Sequence, residues 1–527
     1  MSVHLNHIEL FSGCGGLSLG LELAGFELTF ANELSPMAGE TFAYNLLNED
    51  LSKLAKEGSN SDKAYWISSQ FDDLNHRLRE NPFEYPELGS GSTDIPDDPC
   101  LIQGKLLVGN IIHLNQLLES RPKLLGAIKS GFGNNGIDLI SGGPPCQSFS
   151  MAGLRKKDCD KNSLPWEFAK FVGMVQPKFV VLENVSGILR AFKEDGISYH
   201  AWFEVAKVFA TKGYIPLCLH INARLAGVPQ NRPRFIMIGI REDVYQAISS
   251  SFNKEERILL SPCIDLFQKV KTNKVVDINN YHCFDVKEDK DYNLFRNSFL
   301  SSLVGQKQVS VKEAINDLRL NSSSKKSSFV SKLNDQFSPI LNKTLSTANH
   351  KPRNNSDIVK RRFRIYQAIR KCSIDVNKQV FDILKGKSSS LCDTAWSELK
   401  DHEYVSEEGD NIKFNTKLEL INYLLQHPTK KRTQRALDPS EPAPAALSIP
   451  DDICHYDDHE LRTLTVREMA RIQSFPDAFI FRSKVTTGGK MRRFEIPQYT
   501  QVGNAVPPLL GLKLGNSILN LLKRLPT

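Results

Sequence analysis

The 527-residue chain has no apolar run of membrane-spanning length, which excludes a helical membrane protein. Residues 1–7 show no basic region followed by an apolar stretch, so no secretory leader is expected and the expected location is cytoplasmic. The ten cysteines include no CxxC pair and follow no regular spacing. A disulfide framework and a structural zinc are therefore set aside, and no metal is expected. Charge is not strongly one-sided either: a net +7 leans toward polyanionic partners without naming one. With 40% hydrophobic and 24% charged residues, the chain has the balance of a packed globular protein, long enough for more than one unit at roughly 150 residues each.

What is present is a rhythm. Short apolar stretches at residues 8–11, 28–31, 106–108, 137–140, 179–182, 217–221 and 235–240 alternate with helical patterns such as 17–24, 166–175 and 202–211. Alternation of this kind predicts an α/β fold with a mostly parallel sheet covered on both faces. Two stretches break it. Residues 50–103 are polar and partly Gly-Ser-rich, as in an insertion between the second and third strands. From 246 to 460 the alternation is lost and a second, smaller and irregular unit is expected. Two basic runs fall there: Lys351, Arg353, Lys360, Arg361, Arg362, Arg364, Arg370 and Lys371, opposed only by Asp357, and then Lys430, Lys431, Arg432 and Arg435. Residues 1–245 and 461–527 would flank that unit as two parts of one domain, closed by a helix over 509–525.

The strand exits carry the chemistry. The first runs into Phe11-Ser12-Gly13-Cys14-Gly15-Gly16, where glycine allows a tight turn and lets backbone N–H groups approach a ligand at a helix start. Glu33 ends the next strand 20 residues after Gly13, where a carboxylate can hold ribose hydroxyls. That pair alone suits a dinucleotide as well as another nucleoside cofactor. The fourth strand feeds Ser141-Gly142-Gly143-Pro144-Pro145-Cys146-Gln147-Ser148-Phe149-Ser150, a rigid exit that puts Cys146 at the carboxyl edge of the sheet. Glu183-Asn184-Val185 follows at the next strand end, and Gln230-Asn231-Arg232-Pro233-Arg234 brings cationic donors to the strand beginning at Phe235.

These motifs, with the acid-ending Ala31-Asn32-Glu33, RTLTVREMARIQSFP at 462–476 and QVGNAVPP at 501–508, occur in the order seen in DNA cytosine C5-methyltransferases. The chain resembles the bacterial, restriction-modification type of that family up to about residue 240 and again from about 462. The resemblance implies a Rossmann-like domain that binds S-adenosylmethionine, an inserted target recognition domain, and methyl transfer to C5 of a flipped-out cytosine in double-stranded DNA. Cytosine C5 is a poor nucleophile until a thiolate adds to C6, which turns C5 into an enamine carbon and spreads charge to N3 and O2. By analogy with the family, Cys146 is the nucleophile, Glu183 serves N3, Arg234 serves O2, and Arg232 positions and balances charge. Phe11, Gly13, Gly15, Glu33, Asn110, Ile111, Pro145, Asn504 and Val506 resemble the cofactor shell. Residues from Gln147 to about Pro165 resemble the loop that closes over DNA once the base is extruded.

The pattern departs from the family at two places. Asn110 stands where an aspartate is usual, and Ala445 where many members carry threonine. Two other functions remain in view, a tRNA cytosine methyltransferase of the same fold and a catalytically silent DNA-binding module. The long basic insert and Phe149-Ser150 favour DNA, and the full set Cys146, Glu183, Arg232 and Arg234 favours catalysis; a dehydrogenase would leave the Pro-Pro-Cys-Gln and Glu-Asn-Val motifs unexplained. A monomer acting on DNA, alongside a restriction endonuclease for the same site, completes the expectation.

Overall fold

A computed structural model of the chain describes residues 4–145, 164–194, 197–320, 323–341, 348–431, 434–445 and 453–526. Cys146, the segment 147–163 and Arg432 lie outside these residues. Among the described residues no helix is long and apolar enough to cross a membrane.

Nine strands make one sheet: β1 (Leu5–Leu10), β2 (Phe26–Glu33), β3 (Ala64–Trp66), β4 (Lys105–Val108), β5 (Leu139–Gly142), β6 (Phe179–Val185), β7 (Tyr214–Asn222), β8 (Pro233–Arg241) and β9 (Phe284–Asp285), in the order β9-β7-β8-β6-β5-β1-β2-β4-β3. All neighbouring pairs run parallel except those made by β8, which lies antiparallel between β6 and β7. Alternation of apolar runs with helices predicts that arrangement, because a parallel pair needs a crossover that covers a face of the sheet. Coverage is complete at β1, where His7 and Glu9 are as buried as Ile8 and Leu10.

The inserted stretch 50–103 is more than a polar loop. Its β3 pairs with β4 and extends the sheet by one edge strand, with Ala64 and Trp66 buried. Three residues in a polar context are too few to show a period of two in the sequence.

The chain's end returns to its beginning. The first helix, α1 (Gly16–Leu23), packs against the last, Pro508–Leu522: Gly20 meets Gly511, Gly515 lies against Leu21 and Ala24, and Gly16 lies against the Val506 carbonyl just before the last helix. A Cβ built at Gly20 would lie 2.3 Å from the Pro508 carbonyl oxygen, so only glycine allows the two backbones this close.

Hydrophobic burial divides the expected second unit. Its early part, from Phe252 to Leu341, belongs to the large core built around the sheet. A separate core gathers Phe363, Tyr366, Val380, Leu399, Leu420 and Cys454, within residues 363–454. The early part lacks strand alternation because most of it is helical, for example Lys254–Lys271 and Asp289–Arg296.

Candidate active site

At the carboxyl edge of the sheet the chain leaves β1 with Phe11 at φ +56° and Gly13 at φ +55°, a left-handed turn that opens into α1. A Cβ added at Gly13 would meet nothing within 4 Å, so the turn faces open space. The Gly13 N–H donates to Glu33 Oε2 at 2.8 Å, and the Ser35 N–H donates to Glu33 Oε1 at 2.8 Å. Burial pushes the Glu33 carboxyl above its usual range, against the pull of these N–H groups. Asn32 laces β2 to β4 by donating to the carbonyls of Leu107 at 2.9 Å and Gly109 at 3.1 Å.

Asn110 follows at the end of β4 and caps the helix Ile111–Ser120, accepting from the Ile112 N–H at 3.0 Å. Its amide still has an oxygen lone pair and an NH2 group to offer. Phe11 and Val506 are half-buried, Ile111 is buried, and Pro145 and Asn504 are exposed. A carboxylate held by two N–H groups, an amide on the next strand end and apolar Phe11, Ile111 and Val506 fit a nucleoside cofactor with ribose hydroxyls and a flat aromatic base that has a polar edge.

A second cluster lies across the edge at β6 and β8. The Arg234 guanidinium meets the Glu183 carboxylate at 2.7 Å, and each residue is only 8% exposed. A Cβ at Gly143 would stand 3.0 Å from Glu183 Oε2, so this carboxylate lies against the exit of β5, three residues before Cys146. Asn184 donates to the Pro144 carbonyl at 2.9 Å and ties the same exit down. Burial lowers the proton affinity of Arg234, and the Glu183 carboxylate works in the opposite direction.

Arg232 has a different station. It is 2% exposed and donates to the carbonyls of Gly503 at 3.1 Å and Ala505 at 2.9 Å, which brackets Asn504 from the other end of the chain. Burial, then the neighbouring Arg234, lower its proton affinity well below the ordinary arginine range. Residues 230–231 also pair in parallel with 443–444, which brings the segment leading into Ala445 beside the Arg232 strand.

Several residues that build this edge carried no individual signal in the sequence. Gln501 accepts from the Thr41 hydroxyl at 2.6 Å and donates to the Met37 carbonyl at 3.1 Å, joining the last motif to the helix α2 (Pro36–Leu46). Helix Val466–Ile472 starts with a reciprocal cap between Thr465 and Glu468, and Glu468 also takes a two-pronged pair from Arg462, each contact 2.7 Å. The T-x-x-E spacing at 465–468 was the available sign of that cap. Among the described residues no group of three His, Cys, Asp or Glu side chains is arranged to hold a metal ion.

The family model for the C-5 cytosine-specific DNA methylase matches residues 5–72 and 125–520. The type II methyltransferase M.DdeI of Desulfomicrobium norvegicum is 26% identical over 525 residues, covering 98% of this chain and 88% of that protein. M1.HphI of Haemophilus parahaemolyticus, also a type II methyltransferase, is 25% identical over 520 residues, with 98% and 87% covered. A crystal structure described as a DNA modification methyltransferase encoded within a prophage of E. coli is 21% identical, with a TM-score of 0.51 and 98% and 99% covered, and it shares the fold. With the motif order, the sheet and the matched family in agreement, the chain belongs to the C-5 cytosine-specific DNA methylases, whose methyl donor is S-adenosylmethionine.

Proposed function

We propose that the chain methylates cytosine in a specific double-stranded DNA sequence through a covalent adduct between Cys146 and C6 of a flipped-out base. The observation that carries this reading is the buried Glu183–Arg234 pair set against Gly143, three residues before Cys146. A pyrimidine taken up beside Cys146 would have its N3 and O2 edge toward that pair. Cys146, as thiolate, adds to C6 while Glu183, in its carboxylic acid form, gives its proton to N3 and becomes the carboxylate, and Arg234 stabilises the charge that develops on O2. S-adenosylmethionine, when bound, would supply the electrophilic methyl group that C5 takes and would leave as S-adenosylhomocysteine. A base then removes the C5 proton, the C6–S bond breaks, the thiolate leaves, and N3 gives its proton back to Glu183. Arg232 acts as a positioning residue that holds residues 503–505 against the sheet edge, and Asn184 sets the Pro144 turn that precedes the nucleophile. Phe11, Gly13, Gly15, Glu33, Asn110, Ile111, Pro145, Asn504 and Val506 are the proposed cofactor contacts.

The core of residues 363–454 is the proposed target recognition unit, supported by the basic residues around it. The names of the relatives support a type II modification enzyme; that it acts on DNA as a monomer in the cytoplasm, beside an endonuclease for the same site, is part of the same proposal.

The test is a trap. Fluorine at C5 cannot leave as a cation, so duplex DNA carrying 5-fluorocytosine at the target should be methylated once and stay attached through Cys146. The adduct should survive denaturing electrophoresis and require S-adenosylmethionine. Failure to trap the protein on DNA that it methylates would overturn the covalent route, and trapping on RNA alone would move the substrate to tRNA.

A further inference from the structure

Residues 73–124 fall between the two segments matched by the family model, and the stretch 50–103 to which most of them belong has no role in the reaction described above. Its path gives it one. The carboxyl end of β3 lies beside that of β4, with Trp66 opposite Val108. Ile67 then donates its N–H to the Val108 carbonyl at 2.9 Å, and a Cβ added at Gly109 would come within 2.9 Å of Ile67 Cβ. The insertion thus covers the residue immediately before Asn110.

The chain next crosses back toward β2. Ser68 donates to the Pro86 carbonyl at 2.6 Å, which ties the outgoing and returning strands of the loop together. Tyr85 donates its hydroxyl to the Leu34 carbonyl at 3.2 Å. Leu34 is the residue between Glu33 and Ser35, and the Ser35 N–H is one of the two donors that hold the Glu33 carboxylate. Burial, with the carboxylates of Glu80 and Glu33 adding to it, pushes the Tyr85 phenol well above its usual range, so the hydroxyl remains a donor. At the far side Glu87 stands 3.8 Å from His113, in the helix that Asn110 caps. One inserted loop therefore touches both strand exits that flank the nucleoside of the cofactor.

We propose that residues 67–88 form the outer wall of the adenosine end of the cofactor pocket, and that Tyr85 is the positioning residue that fixes the Glu33 turn for the ribose hydroxyls. This rests on the assignment of Glu33 and Asn110 to the cofactor. The wall acts on binding of the nucleoside and not on the reacting carbon.

Two ligands that share the nucleoside and differ in the tail, S-adenosylhomocysteine and 5′-methylthioadenosine, test it by titration calorimetry on the full-length protein without DNA. Tyr85→Phe removes one hydrogen bond and should weaken both ligands by the same factor, about three- to tenfold. Tyr85→Ala should weaken both further. In turnover the KM for S-adenosylmethionine should rise while kcat and the KM for DNA stay unchanged. Wild-type affinity in folded Tyr85 variants, with Glu33→Ala losing both ligands, overturns the wall and leaves Glu33 in place. Wild-type affinity in Glu33→Ala overturns the cofactor assignment and the wall with it. A loss confined to S-adenosylhomocysteine also overturns the proposal. If Tyr85→Ala does not fold, Tyr85→Phe decides, because it keeps the ring.

Discussion

Two arginine-rich stretches of this chain have opposite surroundings. Arg462, Arg467 and Arg471 are 5%, 0% and 1% exposed, and they answer to nearby acids and carbonyls: Arg462 to Glu468 at 2.7 Å, Arg471 to Asp477 at 2.7 Å and Asp317 at 2.6 Å, Arg467 to the carbonyls of Pro476 and Phe479. In the helix Asp357–Arg370 the outer arginines Arg361 and Arg362 are half-buried and lean on His427 at 3.0 Å and the Pro428 carbonyl at 3.1 Å. These two contacts bring the basic run of that helix next to the second run, which starts at Lys430. Arg364 and Arg370 of the same helix turn inward instead. Arg364 lies 3.8 Å from Asp458, and Arg370 donates to the carbonyls of Leu437 and Tyr456, each at 2.8 Å. The density of positive charge in a sequence therefore does not separate structural arginines from a polyanion-binding face. The acids and carbonyls that tertiary packing brings within reach separate them.

Four measurements break or sharpen that contrast. The largest effect is expected at the edge the buried network supports: Cys146→Ala should abolish methyl transfer while cofactor and DNA affinity stay near wild type, as read by a radiolabelled methyl assay beside direct titrations. Methylation by that variant would remove Cys146 from the mechanism. Arg471→Met should cost about 3–5 kcal/mol in chemical denaturation, because it removes the buried cation of Asp317 and leaves the buried Asp477 with Lys326 as its remaining ion-pair partner. A loss under about 1 kcal/mol, the size ordinary for exposed pairs, would place this network with surface charges.

The third concerns acids buried without a cation. Burial raises the Glu9 carboxyl in β1 to about 8, with Ser18 hydrogen-bonded to it. A carboxyl raised in the folded state stabilises fully below its unfolded value, and that stability is lost as pH rises through about 8. His7, lowered to about 3 by burial, works at lower pH, where stability falls as pH drops from about 6.5. Between pH 6.5 and 8.5 the wild type should therefore lose about 2 kcal/mol through Glu9 that Glu9→Gln does not lose. Glu22, likewise raised to about 8, is common to both proteins and cancels in the difference. Parallel stability profiles for the two proteins would contradict a protonated Glu9.

The smallest effect divides the basic helix itself. Arg362→Gln should lower the slope of log affinity against log salt for DNA by about one unit and leave the methylated sequence unchanged. Arg370→Gln should leave that slope alone and reduce stability. Equal slopes for the two variants would mean that the inward and outward arginines do not differ in function.

Much of the sheet edge proposed as the active site was legible in the sequence. The turn after β1, Glu33, the exit of β5 and Glu183 could be assigned to one side of the sheet because parallel strands joined by helices deliver their carboxyl ends to the same edge. The insertion was legible as an interruption but not as a strand and a wall, since Ala64–Trp66 is too short for periodicity and Tyr85 matches no motif. Which core residues 252–341 would join was not legible in the sequence. Helical segments from Phe252 onward bury themselves against the sheet, and a helix carries the same amphipathic pattern whichever core it faces.

The sequence by itself determined the fold class, the family and the order in which chemical groups reach the sheet edge, because each depends on local periodicity and on short motifs whose spacing is covalent. Tertiary structure decided the rest. It set Arg232 on the carbonyls of Gly503 and Ala505, Tyr85 on the turn that holds Glu33, and Arg364 and Arg370 toward residues 437–458 rather than solvent. Those contacts join positions tens to hundreds of residues apart. Which of several possible acceptors a long cationic or phenolic side chain finds is settled only when burial removes water as the competing partner.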